Sequence, residues 1–279
     1  MQSKFATGQQ VDLMVPRLTA SYYDRTGHLT IVGIIRVLAE SFYEAEEKGF
    51  FTAKFGHMRA YTVQEDIFYS PKLQQKTPRD NVSLLHRVTF VSLGKTSFSI
   101  IQTLIDPLSM EQLVRLESKV VSVDSESRRP LKLPEWVNET FSKFPKTDLT
   151  IMSTRQEDLI PPPDAFRTLT RSRPSDMDTN FHVNFAVFYR FCTDCATEAS
   201  LAGYYRYYKE DMCWYPILET KVTFLGEAPS SVNLDVYSWQ ETHDVQRFYF
   251  AIYLRNKRIF QASFLYSMEK LTQQDLSKL

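Results

Sequence analysis

Two stretches of the chain carry apolar residues at helical spacing. Ile31, Ile34, Ile35, Leu38, Phe42 and Ala45 fall on one helical face, and Phe185, Phe188, Cys192, Cys195, Ala196 and Ala199 form a second such face. Val32, Val37, Val187 and Phe191 add apolar bulk off each stripe, the pattern of a helix wrapped by a sheet rather than lying on one. Segments rich in β-branched and aromatic residues follow each helix. They run over 84–93, 98–104 and 113–123 in the first half, and over 218–225, 232–239, 248–254 and 259–268 in the second. Each half therefore reads as a strand, a long helix and several antiparallel strands.

The two halves also resemble each other residue by residue. Asp24-Arg25-Thr26-Gly27-His28-Leu29 and Asp178-Thr179-Asn180-Phe181-His182-Val183 share Asp, three spacers, His and an aliphatic residue, 154 positions apart (182 − 28). At the same offset Arg36 falls on Arg190 and Glu40 on Asp194. A Val-Thr-Phe tripeptide recurs at 88–90 and 222–224, which aligns those two strands and makes the second copy shorter between helix and sheet. Residues 125–165 hold six of the chain's 13 prolines, including Pro161-Pro162-Pro163, and read as a linker. The expected organisation is a first module over 1–124, a linker over 125–165, a second module over 166–270 and a polar tail over 271–279.

Composition narrows the class. In 279 residues, 43% hydrophobic and 14% aromatic, there is enough apolar material for one large core or two modest ones. Lys plus Arg (33) balances Asp plus Glu (33), so no basic field draws the chain to nucleic acid. Apolar runs such as 31–35 fall far short of the roughly 20 residues a membrane span needs. The start of the sequence lacks the pattern of a secretory signal and there are three cysteines, an odd number, which together predict a reducing compartment. Ser277-Lys278-Leu279 is the tripeptide address read by the peroxisomal import receptor, and the polar 272–276 keeps it accessible. The expectation is a protein made in the cytosol and imported into the peroxisomal matrix, where substrates are carried on coenzyme A.

The run from Arg173 to Asn184 resembles the signature of hot-dog-fold acyl thioesterases, above all the acyl-ACP thioesterases within the 4-hydroxybenzoyl-CoA thioesterase superfamily. Their pattern is D-x-D-x-N-x-H-V-N-N, then an aromatic residue and an acid on the central helix; here these are Phe188, with Tyr189 beside it, and Asp194. The resemblance covers nearly the whole chain, since those enzymes also fuse two modules. It implies an α+β fold of two tandem hot-dog modules, each an antiparallel sheet wrapped around a long central helix, forming a pseudo-dimer with one sheet continuous across it. It further implies a thioester hydrolase whose catalytic residues lie in the second module: Asp178, Asn180, His182 and Glu227. Asn184 and Phe185 are further candidate substrate contacts, as are Arg171 and Arg173, basic residues able to meet the phosphates of coenzyme A, and no cofactor or metal is expected. The first copy keeps Asp24 and His28 but places Thr26, Gly27 and Leu93 opposite Asn180, Phe181 and Glu227, which marks it as a structural half.

The residue types suit the chemistry. Thioester hydrolysis needs an activated water or a carboxylate nucleophile, a donor for the developing oxyanion, and stabilisation of the departing thiolate. A motif just before a helix can aim first-turn N–H groups at the thioester carbonyl. Asp178 is expected to act as base or nucleophile, Glu227 to help hold the water, and Asn180 and His182 to orient carboxylate and substrate. Which carboxylate attacks stays open.

Other features take structural readings. Asp24 and His28 alone are an ordinary helix-capping pattern. Cys192-Thr193-Asp194-Cys195 lies mid-helix with only Cys213 left over, so the pair is read as small core residues rather than zinc ligands. Trp214-Tyr215 and the aromatics of 204–208 line an acyl tunnel or pack, with packing the default; Arg206 and Lys209 could meet coenzyme A phosphates. No phosphate loop or dinucleotide fingerprint is present. Three alternatives stand beside acyl-CoA hydrolysis. An enoyl-CoA hydratase would place four residues between Asp and His, where both copies here have three. An acyl-ACP thioesterase would share the motif. A catalytically silent acyl-CoA-binding or scaffolding double hot-dog fits Phe185, which stands where the pattern has a second Asn. Monomer and homodimer both remain open, and the sequence does not specify the acyl group.

Overall fold

The structure, a computed structural model, describes residues 10–47, 50, 58–124, 126–144 and 158–271. Ser277-Lys278-Leu279 and most of the expected tail lie outside them. The named elements are, in chain order, β1 (Gln10–Val15), α1 (Ile31–Glu47), β2 (Met58–Tyr69), α2 (Pro71–Gln74), β3 (Leu84–Leu93), β4 (Ser97–Ile105), β5 (Gln112–Asp124), α3 (Glu135–Phe141), β6 (Phe166–Arg171), α4 (Phe185–Leu201), β7 (Ile217–Phe224), β8 (Asn233–Gln240), β9 (Arg247–Leu254) and β10 (Lys257–Tyr266). The chain divides into two compact units: residues 1–18, 37–68 and 82–155 in one, and 19–36, 69–81 and 156–279 in the other.

In the first unit the strand order is β1-β3-β4-β5-β2. Alternation sets which way each side chain faces: Val11, Leu13 and Val15 of β1 are buried, while Asp12 points out and takes a two-pronged contact from Arg87 of β3, at 2.8 and 2.7 Å. β3 pairs antiparallel with β1 and β4, placing His86 opposite Leu13 and Leu104. The core of this unit joins Phe90, Phe98, Ile100 and Val120 of the sheet to Val137 and Phe141 of α3, with the Phe90 and Phe141 rings stacked at 4.0 Å. The proline-rich stretch between the halves thus contains a helix that contributes to a core.

The second unit has the order β6-β8-β9-β10-β7. Its centre is α4, whose buried residues include Ala186, Val187, Phe188, Tyr189, Phe191, Cys192 and Cys195, more than one stripe of the helix. Phe188 stacks on Phe260 at 5.2 Å and Tyr189 on Phe264 at 6.0 Å, so β10 carries much of this contact. Asn184 caps the helix by accepting the Ala186 N–H at 3.0 Å. At the other end Gly203, at φ +84°, lets the N–H groups of Gly203 and Tyr204 reach back to Ser200 and Ala199.

Taken in chain order, the first five strands and the last five have the same topology: first, third, fourth, fifth, second. The repeat read from the sequence is therefore a repeat of fold, and α1 and α4, each of 17 residues, sit at the 154-residue offset. One alignment made from the sequence is corrected. The Val-Thr-Phe at 88–90 is in β3, whereas the one at 222–224 is in β7, the counterpart of β2. The tripeptide match is a coincidence of β-favouring residues, and Leu93 is not the counterpart of Glu227. Three residues past β2, as Glu227 is past β7, stands Lys72. Nor is the second copy shorter between helix and sheet, since 48–57 separates α1 from β2 and 202–216 separates α4 from β7. β2 escaped sequence reading because Gln64, Glu65 and Asp66 interrupt its apolar pattern, although Glu65 and Asp66 are buried.

Candidate active site

The loop 177–184 is a small closed structure. Met177 and Val183 form an antiparallel bridge, the Asp178 N–H donates to the His182 carbonyl at 2.9 Å, and the Phe181 N–H donates back to the Asp178 carbonyl at 3.1 Å. Asp178 Oδ1 accepts the Asn180 N–H at 2.8 Å, an Asx turn that fixes the carboxylate within its own loop. Asp178 Oδ2 has no hydrogen bond among the described residues. One oxygen is anchored and the other is available.

Glu227, three residues past β7, joins this loop from outside. Its carboxylate lies 3.1 Å from His182 Nε2, and the two side chains are 40% and 25% exposed. The strand end is held there because the Val183 N–H donates to the Ala228 carbonyl at 2.9 Å. Among the described residues His182 Nδ1 is buried without a hydrogen bond while Nε2 faces the Glu227 carboxylate, an arrangement that favours the tautomer with its proton on Nε2. Of the four catalytic residues expected from sequence, the structure places Asp178, Asn180 and His182 on one loop and brings Glu227 to it.

The first-copy loop has the same backbone and a different wiring. Tyr23 and Leu29 bridge, Asp24 N–H donates to the His28 carbonyl at 2.9 Å, and Gly27 N–H donates to the Asp24 carbonyl at 3.0 Å. Here Thr26 Oγ1 donates to Asp24 Oδ1 at 2.5 Å and bonds His28 Nδ1 at 2.8 Å, tying carboxylate to imidazole through a hydroxyl. Thr26 and His28 are buried. Arg25 pairs with Asp211, and the His28 ring meets Trp214 edge-on at 5.9 Å, so this loop is built into the second unit as structure. Asn180 in place of Thr26 removes the bridging hydroxyl, which frees the Asp178 carboxylate and leaves His182 to Glu227.

The start of α4 departs from expectation in one respect. Asn184 N–H donates to the Asp176 carbonyl, Ala186 N–H to the Asn184 side chain and Val187 N–H to the Asn184 carbonyl, so most first-turn donors are already used. The Phe185 N–H alone among them has no acceptor among the described residues. Its side chain packs edge-on towards Phe224 at 6.5 Å. Of the other expected substrate contacts, Asn184 serves as the helix cap, and Arg171 and Arg173 are exposed with no ion pair among the described residues. A positioning group that sequence reading passed over is Asp176, 5% exposed in its side chain. It accepts Arg190 at 2.6 Å and the Arg173 N–H at 2.8 Å while its own carbonyl holds Asn184. The Asp in the motif and the Arg at the repeat offset were the signal for it.

The remaining features resolve as packing. Cys192 and Cys195 are buried, and burial pushes both thiols up, away from the thiolate a metal would need. No cluster able to hold a metal is found among the described residues. Tyr205, Tyr208 and Tyr215 are buried and pack edge-on, with Tyr208 4.7 Å from Tyr215. A cavity of about 630 Å³ lies past the C-terminal end of α4, lined by Phe166, Tyr204, Arg206, Lys209, Trp239 and Glu241 among others, and it shares no residue with the Asp178 loop. No described helix is long and apolar enough to cross a membrane.

Residues 172–270 match the family model described as the Thioesterase-like superfamily. By sequence, no curated protein matches the chain. Among solved structures, the 12:0-ACP thioesterase from Umbellularia californica superposes with a TM-score of 0.73 at 11% identity, over 93% of this chain and 98% of that one. An acyl-ACP thioesterase from Bacteroides thetaiotaomicron gives 0.71 at 11% identity, over 92% and 98%. A putative oleoyl thioesterase from Lactobacillus plantarum gives 0.68 at 14% identity, over 96% and 98%. Residues 172–270 are thus similar to the Thioesterase-like superfamily, and the chain as a whole has the double hot-dog fold seen in these solved thioesterase structures.

Proposed function

We propose that the protein hydrolyses acyl-CoA thioesters to free acid and coenzyme A in peroxisomes, with its active site in the second module. The observation that carries this reading is the Asp178 loop with Glu227 on His182 Nε2 at 3.1 Å, set at the start of α4. Asp178 Oδ2 takes a proton from water as the water oxygen bonds to the thioester carbon, and that proton passes to the departing thiolate; alternatively the carboxylate attacks the carbon itself, and the mixed anhydride left when the thiolate departs is cleaved by water, which restores Asp178, yields the free acid and supplies the thiolate's proton. The Phe185 N–H, at the positive end of the helix, donates to the oxygen that becomes negative. The C–S bond then breaks, and the thiolate leaves as the thiol once protonated by either route. Glu227 holds the His182 ring in one tautomer and orientation at the rim of this centre. Asn180 carries the N–H that anchors Asp178.

Ser277-Lys278-Leu279 supports coenzyme A over carrier protein as the thiol carrier, since it addresses the chain to peroxisomes. Likeness to acyl-ACP thioesterases keeps carrier-protein thioesters in the test. A second reading, a silent acyl-CoA-binding protein, rests on Phe185 at the position of the second Asn. The deciding experiment is thiol release from short, long, branched and aromatic acyl-CoAs and from acyl-ACP, by the protein and by Asp178→Asn. Turnover of a coenzyme A thioester that collapses in the variant supports hydrolysis; binding of acyl-CoA without thiol release by either would replace it with the silent reading. Deleting Ser277-Lys278-Leu279 should move the protein from peroxisomes to cytosol.

A further inference from the structure

The Asp178 loop turns at Phe181, whose φ is +62° and which is 83% exposed. Gly27 makes the same turn in the first-copy loop at φ +78°. A left-handed backbone is costly for an L residue and free for glycine, and an exposed aromatic ring gains nothing from folding. Gly27 demonstrates that the loop closes without either cost. The other described non-glycine residues at positive φ, Asn81, Met110, Arg128, Ser231 and Arg255, lie outside this loop, and none is aromatic. Strain kept where the fold does not require it collects at binding sites.

We propose that Phe181 is a substrate-contact residue whose ring packs against the pantetheine arm of the thioester. This rests on the thioesterase reading. Phe181 stands between Asn180 and His182, so a thioester carbonyl placed at the Asp178 carboxylate lies within a side chain's reach of the ring. Two parts of the substrate leave that carbonyl. The acyl chain gains by every methylene removed from water and belongs inside the module. The arm on sulfur must lead out to the carrier in water, and the exposed Phe181 ring is the apolar surface that the loop turns to water. Pantetheine alternates amides with short methylene stretches and carries a geminal dimethyl group, a surface that suits the face of an exposed aromatic ring. The same arm is present on coenzyme A and on acyl carrier protein.

The test uses the full chain and two variants, Phe181→Gly and Phe181→Asn, both residue types that accept positive φ. Binding is read with non-hydrolysable thioether analogues of a short and a long acyl-CoA, and kinetics with acyl-CoA, acyl-pantetheine and acyl-ACP. Both variants should raise Kd and KM about tenfold, equally for short and long acyl groups and for all three carriers, with kcat changing far less and the melting temperature unchanged or higher. An unchanged Kd in both variants would overturn the proposal. So would a penalty that grows with acyl length, which would place the ring on the acyl chain, or one confined to acyl-ACP, which would place it on the carrier protein. A fall in kcat and melting temperature at constant KM would make Phe181 structural. Should the unaltered protein release no thiol, the hydrolase reading fails while thioether binding still decides the role of Phe181.

Discussion

Asn180→Thr would transplant the wiring of the first-copy loop into the second. In the first copy Thr26 Oγ1 donates to Asp24 Oδ1, so it must accept from His28, whose proton is then on Nδ1. In the second copy Glu227 faces His182 Nε2 and favours the proton there. A threonine at 180 adds a bond to Asp178 and offers a partner to the buried Nδ1 of His182, which has none among the described residues. To use it, the ring must move its proton to Nδ1 and give up Glu227. Two new hydrogen bonds contribute about 1 kcal/mol each and the half-exposed His182–Glu227 contact is worth less than about 1 kcal/mol, so we predict a net stabilisation of about 1 kcal/mol. For a chain of this size that is a rise of about 2 to 4 °C in melting temperature. Activity should move the other way, with kcat down about a hundredfold, because the carboxylate and the imidazole are locked to each other. Thermal unfolding and thiol release, each run beside Asn180→Ala, separate loss of the amide from gain of the lock. A threonine variant that keeps the original kcat, or is no more stable than the alanine variant, would refute the reasoning.

Arg190→Met leaves the Asp176 carboxylate buried with only the Arg173 N–H, and should cost about 2 kcal/mol, less than a fully buried pair because Arg190 is itself partly exposed. The melting temperature should fall by about 4 to 8 °C, and adding Asp176→Asn should recover part of it. His86, fully buried on β3 with Nε2 on Gln102 at 3.0 Å, is held neutral by burial, its pKa lowered from 6.5 to about 4. Because the unfolded chain binds that proton first, the stability His86 gives is complete above pH 6.5 and lost as pH falls towards 4, a difference of about 3 kcal/mol. Denaturant midpoints should therefore drop more steeply over that window in the unaltered protein than in His86→Leu; parallel curves would refute it.

Local pattern and the repeat carried much of the architecture. Apolar spacing placed both long helices, since Ile34, Leu38, Phe188 and Cys192 must leave water on one turn after another. Seven strands were legible from β-branched and aromatic runs. β2 was not, because a strand's side chains are set by what covers each face, and its buried Glu65 and Asp66 read as surface. The 154-residue offset held through loop and helix, where spacing is dictated by covalent geometry. It misled at Val-Thr-Phe, where short β-favouring strings recur by composition alone and only strand order could say that β7 answers to β2.

The candidate site divides in the same way. Asp178, Asn180 and His182 sit within five consecutive residues, so the motif alone brings them together: an Asx turn and two backbone bonds close the loop whatever surrounds it. Glu227 is far along the chain, and its contact with His182 exists only because β7 ends beside the loop and Ala228 accepts the Val183 N–H. Nor could sequence show that a capping asparagine consumes most first-turn donors of α4, or that Thr26 and Asn180, alike in capping habit, wire their loops differently. Those facts depend on which donors meet which acceptors across the fold. Hydrogen bonds act over about 3 Å, and residue spacing in the chain does not encode such distances once the backbone has turned back on itself.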